Sequence, residues 1–250
     1  MFTARKTLLK TNALLEHAVA GSALCLRVAF VLLPWGTVNA DSYSLEAMLH
    51  GAPETTGVSG FQGSSYRLAG PNDLHAVYGL YSVERNNNPC YLGIRTESIN
   101  DYNDNSGDYK DLCGKKATSK ELGVAYEDTS VHGTRVFGHG IRVCMNKKET
   151  RVKGLQIRGK RIDENGHPVD LESGEPTQGQ AGGSDVGLHV ITEPRDTRTN
   201  CKNWKRWVEC PRHNQIATAV IAHFEAGNTP RSLTGVALEC RYASKKYVVK

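Results

Sequence analysis

The sequence predicts an all-β, disulfide-stabilised fold of antiparallel sheets, on three observations. First, Ile216, Thr218, Val220, Ala222 and Phe224 alternate with Ala217, Ala219, Ile221, His223 and Glu225. After Gly227, Asn228, Thr229 and Pro230 the alternation resumes, with Val236, Leu238, Cys240 and Tyr242 set against Ala237, Glu239 and Arg241. Period-two patterning on both sides of a turn cluster marks paired strands, and the link is too long for a two-residue turn, so a wide loop is expected. Second, looser versions of this unit come earlier: Ala76-Val-Tyr-Gly-Leu80, Tyr91-Leu-Gly-Ile94 and Val152-Lys-Gly-Leu-Gln-Ile157 each set a small residue among apolar ones. They suggest about three degenerate β units within residues 73–250. Third, six of the seven cysteines lie beyond a secretory leader, and an even number in a secreted chain reads as three disulfides.

Residues 1–40 read as a secretory signal peptide. Arg5, Lys6 and Lys10 open it, an apolar run is densest from Val28 to Trp35, and Val38-Asn39-Ala40 offers small residues for cleavage after Ala40. Arg27 interrupts the apolar run, and no stretch reaches the ~20 apolar residues a membrane span needs. Leu24 before Cys25 makes a poor lipidation site. Removing Arg5, Lys6, Lys10, Arg27 and Glu16 leaves 27 basic and 25 acidic groups of the 31 and 26, a net charge of +2. A chain this near neutral makes no case for nucleic acid.

Residues 41–72 are expected to form a loop-rich entry, with one helical turn over Ser44–Leu49 and breaks at Gly51, Pro53, Gly57, Gly60, Gly63 and Gly70. Leu74–Val83 and Tyr91–Ile99 read as strands around the turn Arg85–Pro89. Residues 101–111, DYNDNSGDYKD, read as a solvated acidic turn or an irregular calcium site; Ser106 and Leu112 stand where a regular calcium loop needs glycine and glutamate. Residues 121–127 are a weak strand or helical turn. Phe137–Met145 and Arg151–Ile162 flank a turn at Asn146–Thr150, with a phase change near Gly154 that suggests a bulge. Lys147, Lys148, Arg151, Lys153, Arg158, Lys160 and Arg161 cluster here, either as a polyanion-binding face or as charge guarding an exposed strand. Residues 163–184 form a polar, glycine-rich loop, and Leu188–Thr192 a short strand.

Two cysteine intervals are nearly equal, Cys113 to Cys144 and Cys210 to Cys240, and each ends on a β-rich segment. The expected pairs are therefore Cys113–Cys144 and Cys210–Cys240, leaving Cys90–Cys201. No metal-ligand spacing appears among them, and no metal or cofactor is expected.

No nucleophile, zinc-protease or phosphate-loop motif is present, so no catalytic residue is assigned. His75, His132, His139, His167, His189, His213 and His223 have no local partner that would fix a catalytic role. Glu225 and Glu239, on adjacent strands, are a weak candidate for a carboxylate pair. Trp204-Lys205-Arg206-Trp207 is the best binding candidate: indole faces stack on sugar rings and flanking cations recruit acidic groups. The same indoles could instead pack as large aromatic caps.

This last block resembles one repeat of the vitelline membrane outer layer protein family: paired tryptophans (Trp204, Trp207), Cys210-Pro211, a strand over Ala217–Glu225, and a strand Leu233–Cys240. The loop Asn228-Thr-Pro-Arg-Ser-Leu233 departs from that family's pattern, and residues 113–162 match only in outline. The resemblance implies a β-prism, three four-stranded sheets about a pseudo-threefold axis, and an extracellular, carbohydrate-associated or coat-forming protein. The leading expectation is a secreted binding module for an extracellular glycan or surface component, with no membrane span after the leader. The alternatives are a structural coat or interaction protein without a small ligand, and a secreted hydrolase. Oligomeric state is not indicated.

Overall fold

A computed structural model describes residues 43–101, 104–114, 121–126, 135–163, 165–171, 176–177, 189–190, 193–228 and 230–249. The signal-peptide reading of residues 1–40, His132, and most of the expected loop over 163–184 lie outside the described residues. Within them there is no helix, and every strand pairing is antiparallel.

The strands form three larger sheets. Sheet A contains β1 (Tyr43–Thr55), β2 (Ser59–Gly60), β3 (Ser64–Ala69), β16 (Gln215–Phe224) and β17 (Leu233–Val249), in the order β1-β17-β16-β3 with β2 also on β17. Sheet B is β6-β5-β4-β7, made of β4 (His75–Arg85), β5 (Asn88–Ser98), β6 (Asn105–Asp111) and β7 (Glu121–Ala125). Sheet C is β10-β9-β8-β14, made of β8 (Arg135–Met145), β9 (Val152–Ile162), β10 (Pro168–Asp170) and β14 (Asn203–Trp204); β13 (Arg195–Thr197) joins β9, and β15 (Val208–Glu209) joins β8. A small ribbon pairs β11 (Pro176–Thr177) with β12 (His189–Val190), the latter within the expected strand Leu188–Thr192.

Each sheet is built on a central hairpin: β4–β5, β8–β9 and β16–β17. The three hairpins are irregular in the same two places. The register slips at Val77/Gly79, at Gly138/Gly140 and at Ala217/Ala219, leaving Tyr78, His139 and Thr218 as bulged residues. Six positions later it slips again, at Val83/Glu84, Cys144/Met145 and His223/Phe224, leaving Cys90, Lys153 and Thr234 on the second strand. Each bulge adds a residue to one strand, bends it and raises its twist. The first strands β4, β8 and β16 all contact one another. Ala76, Phe137 and Ile216, each two residues before its bulge, meet in one buried cluster with Ala47, Leu49, Ile99 and Ala243. Gly138 fits at this junction because a side chain there would meet Ile157, Val77 and Ala217. The larger core draws on all three sheets, with Leu80, Leu92 and Ile94 from B, Ile141, Leu155 and Ile157 from C, and Val220, Phe224 and Leu238 from A. Burying each such side chain contributes about 1.5–3 kcal/mol.

Two stretches differ from expectation. Residues 43–69 are not a loop-rich entry with a helical turn: they supply β1, β2 and β3. β1 pairs along β17, from Tyr43 opposite Val249 to Thr55 opposite Glu239, so its structure is dictated by a strand at the other end of the chain. Asn105–Asp111 is likewise a strand rather than a turn. It lies at the edge of sheet B with its residues alternately exposed and half-buried, a position that tolerates polar side chains on both faces.

The disulfides are Cys90–Cys113, Cys144–Cys201 and Cys210–Cys240, with Cα separations of 4.9, 5.5 and 5.7 Å. The expected pairs Cys113–Cys144 and Cys90–Cys201 are therefore incorrect. Strand adjacency decides the pairing. The Leu112 N–H donates to the Cys90 carbonyl at 2.8 Å, which brings the end of β6 to the start of β5. Cys144 lies opposite Trp204, and the Lys202 N–H donates to Met145 at 2.9 Å, which delivers Cys201 to β8. The third bridge ties the segment after β15 to β17, and so sheet C to sheet A. Each closed loop contributes about 3–4 kcal/mol in the chain-entropy view.

Candidate functional site

Trp204 and Trp207 lie on the outer face of sheet C, each half-buried. β8 positions Trp204 directly, since Trp204 is opposite Cys144, and Val208 opposite Ile141 fixes the end of the segment. Between them the Lys205 N–H donates to the Val143 carbonyl at 2.8 Å. Both indoles are met by arginines. The Arg195 guanidinium lies 4.6 Å and Arg142 5.0 Å from the Trp204 ring centroid; Arg142 lies 4.8 Å and Arg158 4.5 Å from that of Trp207. The sequence Arg195–Trp204–Arg142–Trp207–Arg158 is thus a ladder in which cations alternate with indoles, each contact worth about 0.5–1 kcal/mol at a partly exposed site.

Hydrogen bonds hold the rungs in place. Arg142 Nε donates to Gln156 Oε1 at 2.9 Å, and Gln156 Nε2 donates to Glu193 at 3.1 Å. Arg158 pairs with Glu193 at 2.6 Å and also with Glu209. Burial lowers the Arg158 pKa, but the two carboxylates more than offset this and hold it above its ordinary value. The ladder occupies the π surface on which a sugar would stack.

Lys205 and Arg206 point elsewhere. Arg206 is exposed, and its carbonyl accepts from Ser59 Oγ at 3.2 Å. Lys205 Nζ sits 4.8 Å from the centroid of the exposed Phe61 ring and 2.9 Å from Glu149 Oε1. Hydrogen bonding from Lys205 is the chief reason the Glu149 carboxyl is held below its ordinary range. Beside this contact is a shallow depression of about 250 Å³ lined by Phe61, Glu149, Thr150, Glu225 and Thr234. Thr234 is the bulged residue of β17, and its hydroxyl, with one proton to donate, lies 3.1 Å from both the Phe61 and the His223 carbonyl.

The basic cluster of β9 is not a continuous polyanion face. Lys147 and Lys148 are exposed at the β8–β9 turn and Arg151 is half-buried there, whereas Lys153 and Lys160 are buried. Lys153 is the bulged residue, so it turns inward. Its ammonium donates to Glu84 Oε2, to the Asn87 carbonyl and to Asn87 Oδ1, all at 2.7 Å, which uses all three of its protons and ties sheet C to the β4–β5 turn. Burial still pulls its pKa down, against the pull of Glu84. Lys160 pairs with Asp170 at 3.0 Å and lies 2.9 Å from His213 Nδ1. Arg158 is committed to the ladder.

The described histidines are dispersed. His139 is buried with Nδ1 2.9 Å from the Gln215 carbonyl, and burial lowers its pKa. His75 is held by Asn72 at 2.7 Å and Asp104 at 3.4 Å; His223 lies beside Gly63; His213 and His167 are exposed. The side chain of His189 lies outside the described residues. Glu239 accepts two bonds from Arg67 at 2.8 and 2.6 Å and is opposite Ala219. Glu225 is six strand positions further along, roughly 20 Å away at about 3.3 Å per residue, beyond the reach of a carboxylate pair. Among the described residues no group of three or more His, Cys, Asp or Glu converges as a metal site, and no helix is long and apolar enough to cross a membrane.

A second aromatic stack lies on sheet B. Tyr81, Tyr91 and Tyr109 follow one another with centroids 5.5 and 5.3 Å apart, and the Tyr81 and Tyr91 hydroxyls are 3.0 Å apart. Tyr81 lies opposite Gly93, where a Cβ would sit 2.3 Å from its ring.

Arg142, Arg195, Glu193, Phe61 and Glu149 were not singled out from the sequence. They come from four separated segments, and no local pattern joins them to Trp204. Comparison with protein-family models, with curated proteins and with solved structures finds no match for this chain.

Proposed function

We propose that the chain is a secreted extracellular binding module that takes a carbohydrate or related surface ligand in the depression beside Trp204–Trp207. The observation that carries this reading is the phenyl ring of Phe61, which stays exposed although the Lys205 ammonium lies over it, within a shallow recess lined also by Glu149, Glu225 and Thr150. The surface of the recess is mostly apolar, with the Glu149 and Glu225 carboxylates engaged by Lys205 and the Ser232 N–H, which suits the apolar face of a sugar ring. The recess is smaller than the about 300–1,000 Å³ of a drug-sized pocket, which favours a terminal sugar unit over an enclosed chain.

Three sheets on central hairpins with the same pair of bulges support a β-prism arrangement. That is also what the resemblance to the vitelline membrane outer layer family implies. Three disulfides support an extracellular setting. A structural coat or interaction protein is the second reading, favoured by one observation: both indoles are engaged by arginines rather than open to a ligand.

The test is a glycan-array screen of the secreted chain, with Phe61→Ala and the Trp204→Ala, Trp207→Ala double variant alongside. Saturable binding to a defined glycan, lost in a Phe61→Ala protein with an unchanged circular dichroism spectrum, is the expected result. Absence of binding to every glycan, together with a lowered melting temperature of the double tryptophan variant, would leave the coat reading in its place.

A further inference from the structure

We infer that Trp204 and Trp207 are modification sites for tryptophan C-mannosylation, each carrying one mannose on its indole C2 carbon. This rests on the secretory reading of the chain and not on the ligand-binding one. The sequence from Trp204 to Cys210 is Trp-Lys-Arg-Trp-Val-Glu-Cys. Transferases of the animal secretory pathway that mannosylate tryptophan act on the first residue of Trp-x-x-Trp or Trp-x-x-Cys. Trp204 satisfies the first pattern through Trp207, and Trp207 satisfies the second through Cys210, so the two signals overlap within seven residues.

The reaction needs a polyprenyl-phosphate-linked mannose and a host membrane transferase. A C–C bond forms between the anomeric carbon of mannose and indole C2. The anomeric C–O bond to the lipid phosphate breaks, and the phosphate departs with the bonding pair. The proton on C2 is lost to a base, which restores the aromatic ring; nothing is oxidised or reduced.

The fold accepts the product. Guanidinium groups lie over each indole within 5.0 Å of its centroid, yet both indoles remain half-exposed. C2 is an edge atom of the indole, and a guanidinium stacked over the ring face does not itself cover that edge. The surroundings are polar: Glu193, Glu209 and Gln156 are part of the same hydrogen-bonded network. Hexose hydroxyls on the rim would find donors and acceptors there, and the sugar would limit the indole's freedom to leave the stack. Cys210 is buried in its bridge to Cys240, so the transferase reads this segment before the sheet closes.

The readout is clean. The sequence contains no Asn-x-Ser/Thr triplet, so N-linked sugar does not confuse the mass. Trypsin cuts after Lys202, Lys205, Arg206 and Arg212, which puts Trp204 in the peptide 203–205 and Trp207 in 207–212. The full chain is expressed in animal cells with and without the tryptophan C-mannosyltransferase, and peptides from the medium are measured by tandem mass spectrometry.

The expected result is one hexose on each peptide. Both should survive base elimination, fragment by cross-ring cleavage, and be lost in the transferase-deficient cells. Trp207→Phe should abolish the hexose on Trp204, whereas Trp204→Phe should leave that on Trp207. Secreted chain with bare tryptophans, or a hexose at Trp204 that persists in Trp207→Phe, overturns the proposal alone. Chain that stays inside the cells with its leader intact overturns the secretory reading and this proposal with it.

Discussion

On sheet B, Tyr81, Tyr91 and Tyr109 stack ring on ring, with a hydroxyl pair joining the first two. On sheet C, Trp204 and Trp207 are met instead by Arg195, Arg142 and Arg158, which are anchored by Glu193, Glu209 and Gln156. Both arrays cover a sheet face with flat groups. The tyrosine array needs a backbone that makes room, supplied by Gly93, and burial raises the pKa of its middle member, Tyr91. The tryptophan array is cationic and depends on carboxylate anchors. Flat groups alone do not decide how such a face responds to its solvent; what lies between them does.

Breaking the tyrosine array at its floor should have the largest effect. Gly93→Ala drives a methyl into the Tyr81 ring and should cost about 3 kcal/mol, a fall in melting temperature of about 2–4 °C per kcal/mol for a domain of this size. Arg142→Ala removes the rung shared by both indoles and the bond to Gln156, and should cost about 2 kcal/mol, read by denaturant titration of tryptophan fluorescence.

Tyr91→Phe should cost about 1 kcal/mol at neutral pH and separate the arrays by pH. Burial first, and then the bond to Tyr81, raise the Tyr91 pKa well above its ordinary value of 10.0. A group with a raised folded pKa contributes stability that is complete below its unfolded pKa and is lost as pH climbs through the folded one. The melting temperature of the wild type should therefore fall above about pH 10, and fall less in Tyr91→Phe; an identical fall in both would refute the assignment. The smallest effect is that of salt. Raising ionic strength to about 1 M should weaken the exposed Arg158 pairs by less than about 1 kcal/mol, and the Arg158→Gln variant should lose that dependence.

The three central hairpins were legible because their strands pair locally across turns that the residues announce. The turn expected over Arg85–Pro89 is formed by two residues, Asn86 and Asn87, both with positive φ. β1 and β6 were not legible. One is an edge strand whose partner lies at the far end of the chain, and the other is polar on both faces. The bulges explain why the basic cluster misled: an extra residue at Lys153 reverses which side of β9 faces inward, so a charge count along the strand does not give its surface. Equal spacing between cysteines misled for a related reason, since bridges follow strand neighbours. The indoles of the candidate site, and Arg158 as a member of a basic cluster, could be found from sequence, but the pairing of indoles with arginines could not, because β8, β9 and β13 meet there only in the folded sheet.

The pairing of β1 with β17, Tyr43 opposite Val249 at one end, has a consequence for the order of synthesis. Sheets B and C can assemble as their strands emerge, but sheet A waits for β16 and β17. Until then β1 and β3 wait with unpaired backbone edges, a state that invites pairing with another copy. Contacts of such wide sequence separation are also slow to find. The two ends of this sheet then close together, so a permuted chain that joins them and opens at the exposed turn Lys147–Lys148 should gather sheet A early and refold faster than the natural order allows.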